Sequence, residues 1–242
     1  MSSAIQWLRS LIFNAQMYVA MLVCGIIFLP AAIWSANGAV MGCKAYARWV
    51  LWTASWMIGL KTEVRGTPPT EECMVAPKHQ SFMDVLAIYA AVPRGKFIMK
   101  SILKYAPIIG QFGLRIGCIP VDRGKRGQAI RKMVADVKAG KAHAGQLIIY
   151  PQGTRIAPGV KAGYKIGTGA LYKKLGQPVY PVATNIGVFW PKRGVMRKPG
   201  TAVFEFLPPI TPGLPVEEFM AQLEEAIETA SDRLNKEAGF DG

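Results

Sequence analysis

A histidine and an aspartate five positions apart, His79 and Asp84 in KHQSFMD (78–84), are the residues of this chain best suited to moving a proton. An imidazole titrates near neutral pH, and a carboxylate on one ring nitrogen fixes the tautomer and stabilises the imidazolium. The stretch has a second meaning. Ser81-Phe82-Met83-Asp84 fits a capping box, in which the fourth residue reaches back to close a helix start. The residues alone leave both readings open. No G-x-S-x-G occurs, so a nucleophile-elbow hydrolase is not supported. Ser81 and Cys73 are candidate nucleophiles only by nearness. A histidine–aspartate pair without a dedicated nucleophile suits attack by a hydroxyl of the substrate itself.

Two further polar stretches carry the groups that hold anions. DRGKRG (122–127) brings Arg123, Lys125 and Arg126. QGTR (152–155) brings Gly153 for close backbone approach, Thr154 as a donor and Arg155 as a fork for phosphate or carboxylate. Together they suggest an anionic headgroup. His143, in KAGKAHAG, reads as an exposed surface residue.

The elements that must position these groups follow from the apolar pattern. CMVAP, FIM, CIPVD, LIIYP, PVYPVAT and TAVFEFL read as strands. Helical stretches lie between them: SFMDVLAIYAA, a short turn near SILKYA, GQAIRKMVADVKAG, and a segment within GYKIGTGALYKKLG. VEEFMAQLEEAIETASDRL spaces Val216, Phe219, Met220, Leu223, Ile227 and Leu234 as one helical face, with an acidic outer face. Alternating strands and helices predict an α/β fold, a central mixed, mostly parallel sheet flanked by helices. Ligands in such sheets sit beyond the carboxyl ends of the strands. KHQSFMD, DRGKRG and QGTR each follow a strand-like run, so all three are expected at one edge. Pro120 in CIPVD suggests an edge strand or a strand end. GTPPTEE (66–72) reads as the joint between an N-terminal segment, 1–60, and the catalytic domain, 61–242.

The charge is uneven. The 242 residues carry a net +14, and residues 61–212 hold 24 of the 29 bases but only 7 of the 15 acids, a net +17. A body of that sign binds something anionic: nucleic acid, phospholipid headgroups or a phosphorylated substrate. The aromatics do not interleave with the basic clusters and no nucleic-acid module is recognisable, so no nucleic acid is expected as partner. Cys24, Cys43, Cys73 and Cys118 show no metal spacing; free thiols and no metal or other cofactor are expected.

From Ser10 to Cys43 there is no charged residue. A signal peptide, a single spanning helix and a membrane-embedded helical hairpin are the competing readings. Residues 49–60, WVLWTASWMIGL, are too short to span, and Trp49, Trp52 and Trp56 share one helical face. Arg9 precedes the first apolar segment while Lys44 and Arg48 follow it, which suits two ends on the same side. The hairpin, or another shallow insertion, is the expectation, with Pro30 kinking or ending its first helix.

The combination resembles the glycerolipid acyltransferases. KHQSFMD matches their H-x4-D motif, CIPVDR their second block ending in arginine, YPQGTR their E-G-T-R block, and VYPVAT their proline-centred fourth block. The order and approximate spacing agree over about residues 60–210. The resemblance, to the bacterial 1-acyl-sn-glycerol-3-phosphate acyltransferases in particular, implies a reaction. His79 takes the proton of the sn-2 hydroxyl of lysophosphatidic acid while Asp84 orients it. The alkoxide attacks the thioester of acyl-CoA or acyl carrier protein, and phosphatidic acid forms. It further implies that Arg123 and Arg155 hold the phosphate, that Lys100 joins them, and that Pro181 shapes the acyl or acceptor pocket. An N-terminal two-helix membrane element and a place on the cytoplasmic face of the inner membrane, among membrane phospholipids, are implied too. One departure stands out: Gln152 replaces the usual glutamate of the third block, so the chain keeps an acceptor there, adds a donor and loses a charge. Another lysolipid acceptor, such as a lyso-ornithine lipid, is the alternative within the class. A membrane-tethered nucleic-acid binder or an inactive lipid-binding scaffold is the alternative outside it.

Overall fold

The structure, a computed structural model, describes residues 3–121, 128, 131, 135 and 144–240. Of the helix expected over GQAIRKMVADVKAG, only Gln128, Arg131 and Ala135 are among the described residues, all three helical. Among the described residues, seven strands form one sheet in the order β1-β7-β6-β2-β5-β3-β4. They are β1 (Leu60–Arg65), β2 (Met74–Pro77), β3 (Gly95–Lys100), β4 (Ile119–Val121), β5 (Gln146–Ile148), β6 (Val179–Thr184) and β7 (Gly200–Phe206). Neighbouring strands pair in parallel except β6 and β7, so the sheet is mixed and mostly parallel. Strand β4 is the edge strand that Pro120 suggested.

The helices are α1 (Ser3–Trp34), α2 (Ala36–Met57), α3 (Met83–Ala91), α4 (Ile109–Arg115), α5 (Gly167–Leu175), the single turn α6 (Ile186–Phe189) and α7 (Val216–Glu237). A 3₁₀ turn, Ser101–Tyr105, follows β3. Side chains alternate across the sheet. Val75, Ile148, Val182 and Phe204 point to a core shared with α2 and α3, where Met83, Ile88, Val50, Ala54 and Ile58 are buried. Met74, Ala76, Leu147 and Val179 point the other way, to α5 and α7, where Phe219, Leu223 and Ile227 are fully buried. Each such side chain contributes about 1.5–3 kcal/mol. Tyr172 of α5 stacks on Phe219 of α7, ring centroids 3.8 Å apart.

Strand β1 was not anticipated. It pairs in parallel with β7 at the sheet edge, so GTPPTEE joins two strands rather than a membrane segment and a domain. Its sequence, LKTEVR, alternates only weakly because one edge faces solvent, and the burial pattern is correspondingly mixed.

Helices α1 and α2 form an antiparallel hairpin. Gln16 Nε2 donates to Thr53 Oγ1 at 3.0 Å, and Trp49 Nε1 donates to Gln16 Oε1 at 3.0 Å. Pro30 lies inside α1, which runs on to Trp34. It therefore does not end the helix. The chain reverses at Ser35, whose hydroxyl caps α2 by accepting Gly38 N–H at 3.0 Å. Both ends of the hairpin are tied to the body. At one end Gln6 Nε2 donates to the carbonyls of Ile58 and Arg197, at 3.0 and 2.8 Å. At the other, Arg115 Nε donates to Ala32 O, and Arg94 donates to Asn37 Oδ1, both at 2.8 Å. Gly42 permits the close approach there: a Cβ would stand 2.9 Å from the Phe112 ring. The hairpin thus lies along the body instead of projecting from it. The outer face of α1 is left apolar and exposed, with Leu8, Ile12, Val19 and Ile26 at 51–62%. By length and composition α1 could cross a membrane. Trp49, Trp52 and Trp56 are exposed as a contiguous aromatic strip, ring centroids 5.3 and 5.7 Å apart, rather than buried against the body.

Candidate active site

Strands β2, β3, β4, β5 and β6 all run in the same direction, so the loops beyond their carboxyl ends open on one edge. His79 follows β2, and α3 begins at Met83. Asp84 sits in the first turn of α3 and is fully buried. His79 Nδ1 lies 3.0 Å from Asp84 Oδ1 and 3.1 Å from Oδ2. Asp84 Oδ2 also accepts the backbone N–H groups of Gln80 at 2.9 Å and Ser81 at 2.8 Å. An ionised carboxylate only accepts, so Nδ1 carries the proton and donates.

The structure forms both contacts that KHQSFMD allows, His79 to Asp84 and Asp84 back to Ser81. Asp84 closes back onto Ser81 N–H as a capping box requires. Ser81 Oγ accepts from Met83 N–H at 3.4 Å instead of from Asp84, so only half of the reciprocal pair forms. The helix start and the histidine partner are one carboxylate. Ser81 is fully buried. Cys73 is buried at the far end of β2, and burial with Glu71 and Glu72 nearby pushes its thiol up to about 12. Neither is a competent nucleophile.

Tyr150, which the sequence reading passed over, forms a wall of the site. Its ring stacks on the His79 imidazole with centroids 3.9 Å apart. Its phenol is held well above the ordinary tyrosine range by burial and by the neighbouring Asp84 carboxylate. The imidazole is clamped between ring and carboxylate with its side chain 17% exposed. A histidine held this way presents Nε2 outward and can accept a proton there.

The third block is brought to the first by the backbone: Ile156 N–H donates to His79 O at 2.7 Å. Thr154 and Arg155 are therefore adjacent to the histidine loop. Gly153 adopts φ +69°, in the left-handed region, and its N–H donates to Tyr150 O at 3.0 Å. The turn demands glycine for its conformation. The loop after β6 is joined in turn, since Gln80 Oε1 accepts Gly187 N–H at 2.9 Å. Lys192, not foreseen, reaches Thr154 Oγ1 at 3.4 Å. Pro181 is buried in β6 opposite Ala76. It turns its carbonyl to Leu207 N–H at 3.0 Å, so its missing donor falls where the β6–β7 ladder stops. Lys100 is exposed at the end of β3 on the same edge as His79, two strands away. Arg123, Lys125, Arg126 and His143 lie outside the described residues.

The chain is similar to several known proteins. The 1-acyl-sn-glycerol-3-phosphate acyltransferase of Pseudomonas aeruginosa is 27% identical over 203 residues, 82% of this chain and 79% of that protein. The alpha form of the mouse 1-acyl-sn-glycerol-3-phosphate acyltransferase is 28% identical over 202 residues, 81% of this chain and 70% of that one. The crystal structure of the 1-acyl-sn-glycerophosphate acyltransferase from Thermotoga maritima shares the fold, with a TM-score of 0.80 over 97% of this chain and 99% of that one at 20% identity. Residues 61–185, more than half of the sequence and the span that carries the histidine–aspartate pair, match the family model described as Acyltransferase, and the chain belongs to that family.

Proposed function

We propose that this acyltransferase moves a fatty acyl group from a thioester donor, acyl-CoA or acyl carrier protein, to the sn-2 hydroxyl of 1-acyl-glycerol-3-phosphate, forming phosphatidic acid. The observation that carries the reading is the His79–Asp84 pair tied by Ile156 N–H to the loop of Thr154 and Arg155. A proton acceptor and an anion-holding loop are thereby set side by side.

His79 Nε2 takes the hydroxyl proton, and Asp84 stabilises the imidazolium through Nδ1–H. The oxygen attacks the thioester carbonyl, and a tetrahedral oxyanion forms. Collapse breaks the carbon–sulfur bond, and the leaving thiolate takes the proton back from His79. Arg155, Thr154, Lys100 and Arg123 hold the acceptor's phosphate, and Pro181 shapes the acyl or acceptor pocket.

The acceptor is an amphiphile, and the exposed apolar face of α1 beside the basic body suits a site at a bilayer surface. A helix tethered to one globular body at both ends favours lying in one leaflet over crossing. Both thioester donors are cytoplasmic, which favours the cytoplasmic face of the inner membrane.

The test is thiol release by purified protein in mixed micelles, with and without 1-acyl-glycerol-3-phosphate, for each donor. Acceptor-dependent release that is lost in His79→Ala is the expected result. No release with either donor removes lysophosphatidic acid as acceptor.

A further inference from the structure

Lys78 stands immediately before the histidine, yet its side chain points through the opposite face of the sheet, as alternation from Ala76 requires. It is 3% exposed. Its ammonium forms an ion pair with Glu228, near the middle of α7. The other oxygen of Glu228 accepts the hydroxyl of Tyr164 at 2.8 Å and faces Gln152 Nε2 at 3.5 Å. Burial and this carboxylate push the Tyr164 phenol up, so it stays a donor. One carboxylate on the C-terminal helix therefore gathers three groups: the residue before His79, the residue two before Thr154, and the loop that leads into α5.

Gln152 is 2% exposed, and its amide nitrogen faces two oxygens, Glu228 Oε1 and Ala162 O, each at 3.5 Å. A carboxylate at 152 would set oxygen against both. It would also set a second negative charge beside the half-buried Glu228, whose other oxygen pairs with Lys78, and like charges so placed repel. The amide, whose nitrogen can donate toward both oxygens, is the residue type this pocket accepts.

We infer that Glu228 is a positioning residue of the active site, which holds the QGTR loop in register with the histidine strand from behind the sheet, and that position 152 is glutamine because Glu228 already supplies the carboxylate. The inference rests on the proposed reaction for its kinetic consequence but not for the coupling itself. It acts through the loop of Thr154 and Arg155, so it bears on acceptor binding more than on the proton transfer at His79.

The test is a double-mutant cycle of Gln152→Glu and Glu228→Gln, read by kinetics at 20 °C and by thermal melting. Each single change is expected to raise the KM for 1-acyl-glycerol-3-phosphate about tenfold, with kcat within about threefold and the donor KM unchanged. The double change restores one carboxylate and one amide around Lys78, and its acceptor KM should return to within about threefold of the parent. A double variant as poor as the product of the singles overturns the inference. So does a fall in melting temperature with unchanged acceptor KM, which would make the cluster merely structural. If the parent protein itself ignores lysophosphatidic acid, the proposed reaction fails instead, and melting decides the coupling. A rescued double variant supports it, and additive losses overturn it.

Discussion

The backbone carbonyl of His79 accepts the N–H of Ile156 at 2.7 Å. Residues 77 apart in sequence are thereby locked at hydrogen-bond distance. The loop that carries Arg155 cannot move without moving the histidine. In the proposed reaction the group that takes the proton and the loop that holds the phosphate are thereby set at one edge of the sheet, and positioning of this kind is a large part of what a catalyst supplies.

In the proposed mechanism the His79 imidazole takes the hydroxyl proton. His79→Ala should lower kcat at least 10³-fold with an unchanged melting curve, since the ring lies at the edge of the core. Asp84→Asn should lower kcat by roughly 10²-fold. It should also cost about 1–3 kcal/mol of stability, because Asp84 accepts from two buried N–H groups at the start of α3. Steady-state kinetics beside thermal melts separate the two effects.

Tyr150 offers its ring to His79 and keeps its phenol buried. Tyr150→Phe preserves the stack and should leave kcat within about threefold, whereas Tyr150→Ala should lower it tenfold or more through loss of imidazole orientation, the stack itself being worth about 0.5–1.5 kcal/mol. The phenol's affinity for its proton is raised, so it remains neutral through the alkaline range. A pH–rate profile of Tyr150→Phe should therefore superpose on that of the parent up to pH ~10. A new alkaline limb in the variant would show that the hydroxyl takes part.

The proposed direct attack by the substrate hydroxyl leaves no role for a cysteine. The Cys73 thiol is fully buried and its affinity for a proton is raised, to about 12, so little thiolate exists at pH 8. Iodoacetamide at that pH should leave Cys73 unlabelled by peptide mass analysis, and Cys73→Ala should retain activity. An acyl group trapped on Cys73 by quenching would contradict the mechanism.

The outer face of α1 makes no contribution to the core. Replacing Ile12, Val19 and Ile26 by glutamate should release the protein from phospholipid vesicles in a flotation assay, while its melting temperature stays within a few degrees. Activity should fall on acceptor presented in vesicles and persist on acceptor presented in micelles. Retained flotation would place the bilayer contact elsewhere.

Much of this was legible in the linear pattern. KHQSFMD, YPQGTR and the strand-like runs before them announced a mostly parallel sheet with loops gathered at one edge, because ligand loops of such sheets follow strand ends. Helix α7 was readable from the spacing of Phe219, Leu223, Ile227 and Leu234, all buried as one face. The misses have physical causes. Strand β1 is an edge strand, and edges alternate weakly. Pro30 does not end α1, which runs on to Trp34. Tyr150 looked like the tail of an apolar strand, since stacking on a ring 71 residues away leaves no local trace.

Glu228 marks the division most sharply. By itself the sequence determined the chemistry available, a histidine with a carboxylate in reach, an anion-holding loop and an apolar amphipathic start, because residue type and local period are written along the chain. It counted Glu228 among the acids of an outward helical face. Only the tertiary structure decided that this one acid turns inward to Lys78, Tyr164 and Gln152. The partner of a buried charge is chosen by which elements pack together, and that choice is made by the sheet order and the seating of α7 upon it.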